Sequence, residues 1–298
     1  MSDFSFPLKY VQANIVAGDM VSEIPNLYNL TDFYRGAALV NILSPNLNTS
    51  NVTNMRRMFY GCTNLKSVVL SDTSNVTNMQ DMFRNCSSSL YIAPMLDTSN
   101  VTNMNSMFYA CRQLRSVPLY DTSNVIEWQN MFANCQVLET IPLFDTSNAT
   151  SLYGVFQNCS KLRTMPPINT SNCTSFSSTF SNCSELVKIP LLDCSKVNTG
   201  SGSGNIDLFG SYSMQKLTDL GGFKDLGGFA NFRKPSYFLK NCPNLTKESV
   251  LNVLNNLYDR AAAGYSVVTL PFNSASLALL SDEEKAIATN KGWTLATS

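Results

Sequence analysis

The tetrad Asp-Thr-Ser-Asn, or Asn-Thr-Ser-Asn, starts at Asn48, Asp72, Asp97, Asp121, Asp145 and Asn169, with a weakened copy at Asp193. The steps are 24 residues long, apart from one of 25 that the extra serine in Ser87-Ser88-Ser89 explains. Cys62, Cys86, Cys111, Cys135, Cys159 and Cys183 keep the same beat. A period of 20–29 residues with leucine and cysteine or asparagine at fixed places is the leucine-rich-repeat signature. Units this short cannot bury their apolar faces alone, so they must stack on one another. The sequence therefore predicts an α/β, leucine-rich-repeat solenoid of 24–25 residue helix–strand units.

Within a unit, Val52, Met55, Met58, Phe59, Cys62 and Leu65 fall at spacings of three and four, which predicts an amphipathic helix. The Thr-Ser-Asn ahead of it supplies oxygens to cap that helix. Gly61 or Asn85, just before the cysteine, suits a left-handed helix end. Leu65, Val68 and Leu70 then read as a short strand, as do Leu114, Val117 and Leu119. Pro118, Pro142 and Pro190 limit how regular its ladder can be.

Four regions follow. Residues 1–47 form an N-terminal extension and a degenerate capping repeat, in which Leu30, Phe33, Tyr34, Ala37 and Val40 match the apolar places one unit later. Residues 48–200 are the repeat array. Residues 201–245 begin with the Ser201-Gly-Ser-Gly204 interruption, keep Leu208-Phe209 in the Met-Phe place, and end on a returning unit around Cys242. Residues 246–298 predict a small α/β cap. Its helix passes through Val250, Leu254 and Leu257, and Tyr265–Leu270 follows as a strand. A second helix opens on a capping box at Ser281–Glu284 and ends at Gly292, before a last strand at Trp293–Leu295.

The pattern N/D-T-S-N-V-T-N-M-x-x-M-F-x-x-C-x-x-L resembles the BspA-type leucine-rich repeats of bacterial surface proteins. The tail from Leu245 to Leu295 is similar to that of repeat proteins from gut Bacteroidales and their phages. The resemblance spans roughly residues 24–298. It implies adhesive or recognition proteins with no catalytic site, and a trimer if the chain belongs to a fibre. No basic leader with an apolar run opens the chain, and no run approaches the ~18 apolar residues of a membrane helix. Beginning at Met1, the sequence is expected to be an intact, unexported gene product. These readings together favour a phage virion component, with a bacterial cell-surface adhesin or a cytosolic interaction scaffold as alternatives.

Composition excludes much chemistry. The chain has no histidine, which removes Ser-His-Asp and Cys-His triads and histidine-ligated metals. Its 21 basic and 21 acidic side chains cancel, which argues against nucleic acid as a partner. Only 14% of residues are charged. Surface wetting falls to 33 Asn, 36 Ser and 23 Thr, nearly a third of the chain. No GxSxG, P-loop, GxGxxG or HExxH is present, so neither an enzyme nor a cofactor is expected.

The in-register cysteines lack CxxC pairs and read as small buried corner residues; Cys173, Cys194 and Cys242 bring the total to an odd nine. Asp72, Asp97, Asp121 and Asp145 read as turn-bonding residues, since one acid per unit is too few for calcium. Binding is expected where units vary. Lys66, Tyr91, Arg115, Glu139 and Arg163 follow the unit's leucine, and Tyr120 and Phe144 precede its aspartate. Together they have the aromatic-plus-arginine character of an interaction hot spot; the competing reading makes Tyr120 and Phe144 another core row. Tyr60, Arg84 and Tyr109 form a second candidate patch. The partners this implies are a protein or glycan on a host surface, or other virion proteins, with homo-oligomerisation an open question.

Overall fold

The computed structural model describes residues 28–37, 41–44, 49–197 and 206–297. The N-terminal extension to residue 27, Val40, Asn48 and the Ser201–Gly204 interruption lie outside them. The chain divides into two compact units, Met1–Asn148 and Ala149–Ser298.

In the first unit the apolar stripe is buried, but not on a helix. Met55, Met58, Phe59 and Cys62 are fully buried, and so are Met79, Met82, Phe83 and Cys86. The backbone carrying them is a train of turns. Met58, Tyr60 and Cys62 donate to the carbonyls three residues back, at 3.0–3.2 Å. Met55, Arg57, Phe59 and Gly61 donate instead to Asn78, Gln80, Met82 and Arg84 of the next coil, at 2.8–2.9 Å. Alternate amides thus close turns and join coils. An α-helix would use all of them internally. The train requires a left-handed residue at every fourth place: Arg57 and Gly61, Asp81 and Asn85, Ser106 and Ala110, Asn130 and Asn134 all have φ between 55° and 73°. Gly, Asn and Asp adopt that region most readily. The degenerate first coil follows suit, with Leu30, Asp32, Tyr34 and Gly36 donating to Asn54, Arg56, Met58 and Tyr60.

The tetrad fastens coils rather than capping helices. Asp97 and Asp121 accept from the amides of Ser99 and Ser123 two residues on, each at 3.0 Å. Thr73, Thr98 and Thr122 donate their hydroxyls forward to the Asp97, Asp121 and Asp145 carbonyls at 2.7–2.9 Å. Asn75, Asn100, Asn124 and Asn148 donate backward to Ser50, Ser74, Ser99 and Ser123. Each such bond is worth about 1 kcal/mol net. Inside, Phe59, Phe83, Phe108 and Phe132 stack at centroid spacings of 5.3, 5.4 and 5.8 Å, and Tyr34 extends the column from Phe59 at 5.5 Å.

The strand side obeys its prolines. β1 (Asn41–Ser44) pairs in parallel with β2 (Ser67–Leu70), where Val69 stands in the place that Pro94, Pro118 and Pro142 take in later coils. Among the described residues of the first unit beyond it, the strand side is reduced to a bridge from Ile92 to Ser116, because proline has no amide to donate. Inward residues then recur at every third place: Leu138, Ile141 and Phe144 are buried. That is the period of polyproline II, not of a pleated strand.

In the second unit the turn trains continue, with Leu152, Gly154, Phe156 and Asn158 donating to Ser175, Ser177, Thr179 and Ser181. Leu208 and Phe209 are buried, and Phe209 packs 6.4 Å from Phe180. β3 (Lys188–Ile189) and β4 (Leu192–Asp193), split around Pro190, pair in parallel with β5 (Asp219–Leu220) and β6 (Phe223–Lys224). α1 (Lys247–Asn256) is capped by Thr246, whose hydroxyl accepts from the Ser249 amide. Ser249 in turn takes up the Leu220 amide and the Thr218 carbonyl, tying α1 to β5. β7 (Val268–Phe272), α2 (Ser274–Ala278), α3 (Asp282–Asn290) and β8 (Trp293–Thr297) complete the unit. α3 opens on the Ser281–Glu284 capping box, and β7 pairs in parallel with β8.

Candidate recognition surface

On the first unit, Lys66, Tyr91, Arg115 and Glu139 are exposed. Arg115 sits over the Tyr91 ring at 5.9 Å, and its amide donates to the Tyr91 carbonyl at 2.8 Å. Arg163, in the second unit, is exposed too.

Tyr120 and Phe144 correct the binding-stripe expectation. Each is only 3% exposed. Tyr120 donates its hydroxyl to the Pro94 carbonyl at 2.8 Å, and Phe144 stacks on Phe132. The three-residue period turns them inward and turns out the residues just before them. Met95, Leu119 and Leu143 are 77%, 66% and 61% exposed. Sequence reasoning missed this column because it assumed strand alternation; the prolines were the available signal.

The second patch is brought together. Arg84 lies over Tyr109 at 4.2 Å and over Tyr60 at 6.0 Å, and Arg35 covers Tyr60 at 5.0 Å. Arg35, hidden in the degenerate first coil, was missed. Asp81 holds Arg84 at 3.1 Å, so this ladder carries its own counter-charge, while the buried Arg84 Nε has no hydrogen-bond partner among the described residues.

The acidic column is electrostatically active but lightly held. Hydrogen bonds from Ser74, Ser99 and Ser123 hold Asp72, Asp97 and Asp121 below the usual carboxylate range. Among the described residues no group of three or more His, Cys, Asp or Glu side chains could hold a metal ion.

All nine cysteines are buried thiols outside any disulfide. The thiols of Cys62, Cys86, Cys111 and Cys135 donate to the carbonyls of Tyr34, Phe59, Phe83 and Phe108 at 3.0–3.1 Å, so each cysteine also bonds its coil to the one before. Burial pushes the Cys62 and Cys173 thiols up to about 12. The native protein should therefore leave a thiol reagent unconsumed at pH 8 and consume it fully in denaturant. From pH 9 to about 12 the unfolded chain loses thiol protons that the folded chain keeps, so stability should fall with rising pH. A flat urea midpoint across that window would contradict the thiol account.

The coils and their outward columns define a class: a repeat protein with a uniform interior and a varied face. The chain belongs to the family described as "Mycoplasma protein of unknown function, DUF285", whose model matches residues 28–140 and 93–190, together more than half of the chain. No curated protein matches it. No helix among the described residues is long and apolar enough to cross a membrane.

Proposed function

We propose that the chain is a non-enzymatic recognition and structural protein, a leucine-rich-repeat solenoid serving a phage particle as a tail, fibre or decoration component. Its partner is a protein or glycan of the host surface, or another virion protein. One observation carries the recognition reading: the inward columns of the first unit are uniform, whereas the outward ones hold large apolar, aromatic and arginine side chains in open solvent. Exposed patches of this kind mark interaction sites on soluble proteins.

The resemblance of the tail to that of repeat proteins from gut Bacteroidales and their phages supports the virion assignment. The likeness of the repeats to bacterial surface proteins favours a cell-surface adhesin as the second reading. Mass spectrometry of purified particles tests the first: peptides of this chain are expected in stoichiometric amount, and their absence from virions would falsify it. Release of the chain from intact bacteria by surface proteolysis would instead establish the adhesin.

A further inference from the structure

We propose that the outward column Met95, Leu119 and Leu143 of the first unit seats a basic amphipathic helix of a partner protein. This inference rests on the recognition reading and gives that surface an occupant. Two residues beyond each apolar side chain stands a carboxylate: Asp97, Asp121 and Asp145 are all exposed. None of the three joins an ion pair among the described residues, whereas Asp193 in the second unit is paired with Lys224 at 2.8 Å. An apolar column flanked by uncompensated negative charge complements an apolar stripe flanked by lysine or arginine. On the other side of the column Arg115 and Glu139 carry opposite charges, so the one flank of uniform negative charge is the aspartate side.

The spacing selects the partner's backbone. The rings stacked inside these three coils, Phe83, Phe108 and Phe132, lie 5.4 and 5.8 Å apart, and backbones bridged between coils lie about 4.8 Å apart. A helix advances about 5.4 Å per turn, so apolar residues at i, i+4 and i+7 keep step with three coils. An extended strand places same-face side chains about 6.7 Å apart and drifts out of register by roughly 2 Å over the same span.

The test uses the full chain and a labelled synthetic 18-residue helix with leucines at i, i+4, i+7 and i+11 and lysines on one flank. A sister peptide carries glutamates instead, and a third has the same composition scrambled. Fluorescence anisotropy should show the lysine helix binding at least tenfold tighter than either. Leu119→Ser with Leu143→Ser should weaken it tenfold or more. Asp97→Asn with Asp121→Asn and Asp145→Asn should do the same and flatten its salt dependence, while Asp193→Asn changes nothing. The asparagine variants keep the turn, since Asn169 already accepts the Ser171 amide at 3.1 Å. Equal binding of lysine and glutamate helices, equal binding of the scrambled peptide, or unchanged binding by the serine variant would overturn the proposal. Each of these outcomes is independent of whether the chain is found in virions.

Discussion

Replacing Arg260 with methionine should cost the second unit about 3–5 kcal/mol of stability, the scale seen when a buried charge network loses one partner. Arg260 is fully buried and has no carboxylate partner among the described residues. Its Nε and Nη2 donate to the Ser266 carbonyl at 3.0 and 2.9 Å, and its Nη1 to the Gly227 and Phe229 carbonyls at 2.6 and 3.0 Å. Trp293, Tyr265 and Phe232 surround the guanidinium with ring centroids 5.5–5.9 Å away. Gly227, at φ 87°, lies so close to Trp293 that an added Cβ would sit 2.3 Å from the ring. The planar fork thus joins the 227–229 segment and Ser266 to its own segment, and methionine would fill the space while taking the guanidinium donors from the Gly227 and Ser266 carbonyls; Phe229 would keep the Phe232 amide at 3.1 Å. Lysine restores the charge but not the fork, so Arg260→Lys should recover less than half of the loss. Urea unfolding checks both; a methionine variant as stable as the parent would remove Arg260 from the account.

Asn130→Val should destabilise the first unit by about 1–3 kcal/mol, the cost of holding a side chain in a sparsely populated backbone region. Asn130 has φ 57°, where a β-branched residue is a genuine outlier. Were the segment helical, the same change would be nearly neutral, because valine and asparagine have similar helix propensities. The substitution separates the two backbones by energy alone, and equilibrium unfolding reads it directly.

The stripe Met55, Met58, Phe59 and Cys62 was legible as the buried set, since spacings of three and four serve a helix and a train of turns alike. The backbone was not, because the deciding signal is the left-handed residue at every fourth place, and Arg57, Ser106 and Ala110 do not announce it. The cap was readable in part: Ser281 opens a helix on its capping box and Trp293 opens a strand. The strand read at Tyr265–Leu270 forms at Val268–Phe272, and the short helix Ser274–Ala278 was not read. Among candidate surface residues, Tyr60, Arg84 and Tyr109 share a column and meet as their spacing implies. Tyr120 and Phe144 turned inward because Pro118 and Pro142 replace a two-residue period with one of three. That same shift exposes Leu119 and Leu143, which a pleated strand would have hidden.

Ala110→Gly tests the turn train most directly. Ala110 sits at φ 58°, in the column where Gly36 and Gly61 stand in earlier coils. Relief of the left-handed alanine, about 1–2 kcal/mol, offsets the freer unfolded chain, about 0.4–1 kcal/mol, and the lost burial of the methyl group, about 0.8 kcal/mol, since Ala110 is buried. The urea midpoint of the glycine variant should therefore stay at the parent's value. On a helix the same change would cost about 1 kcal/mol, so a lowered midpoint would contradict the account.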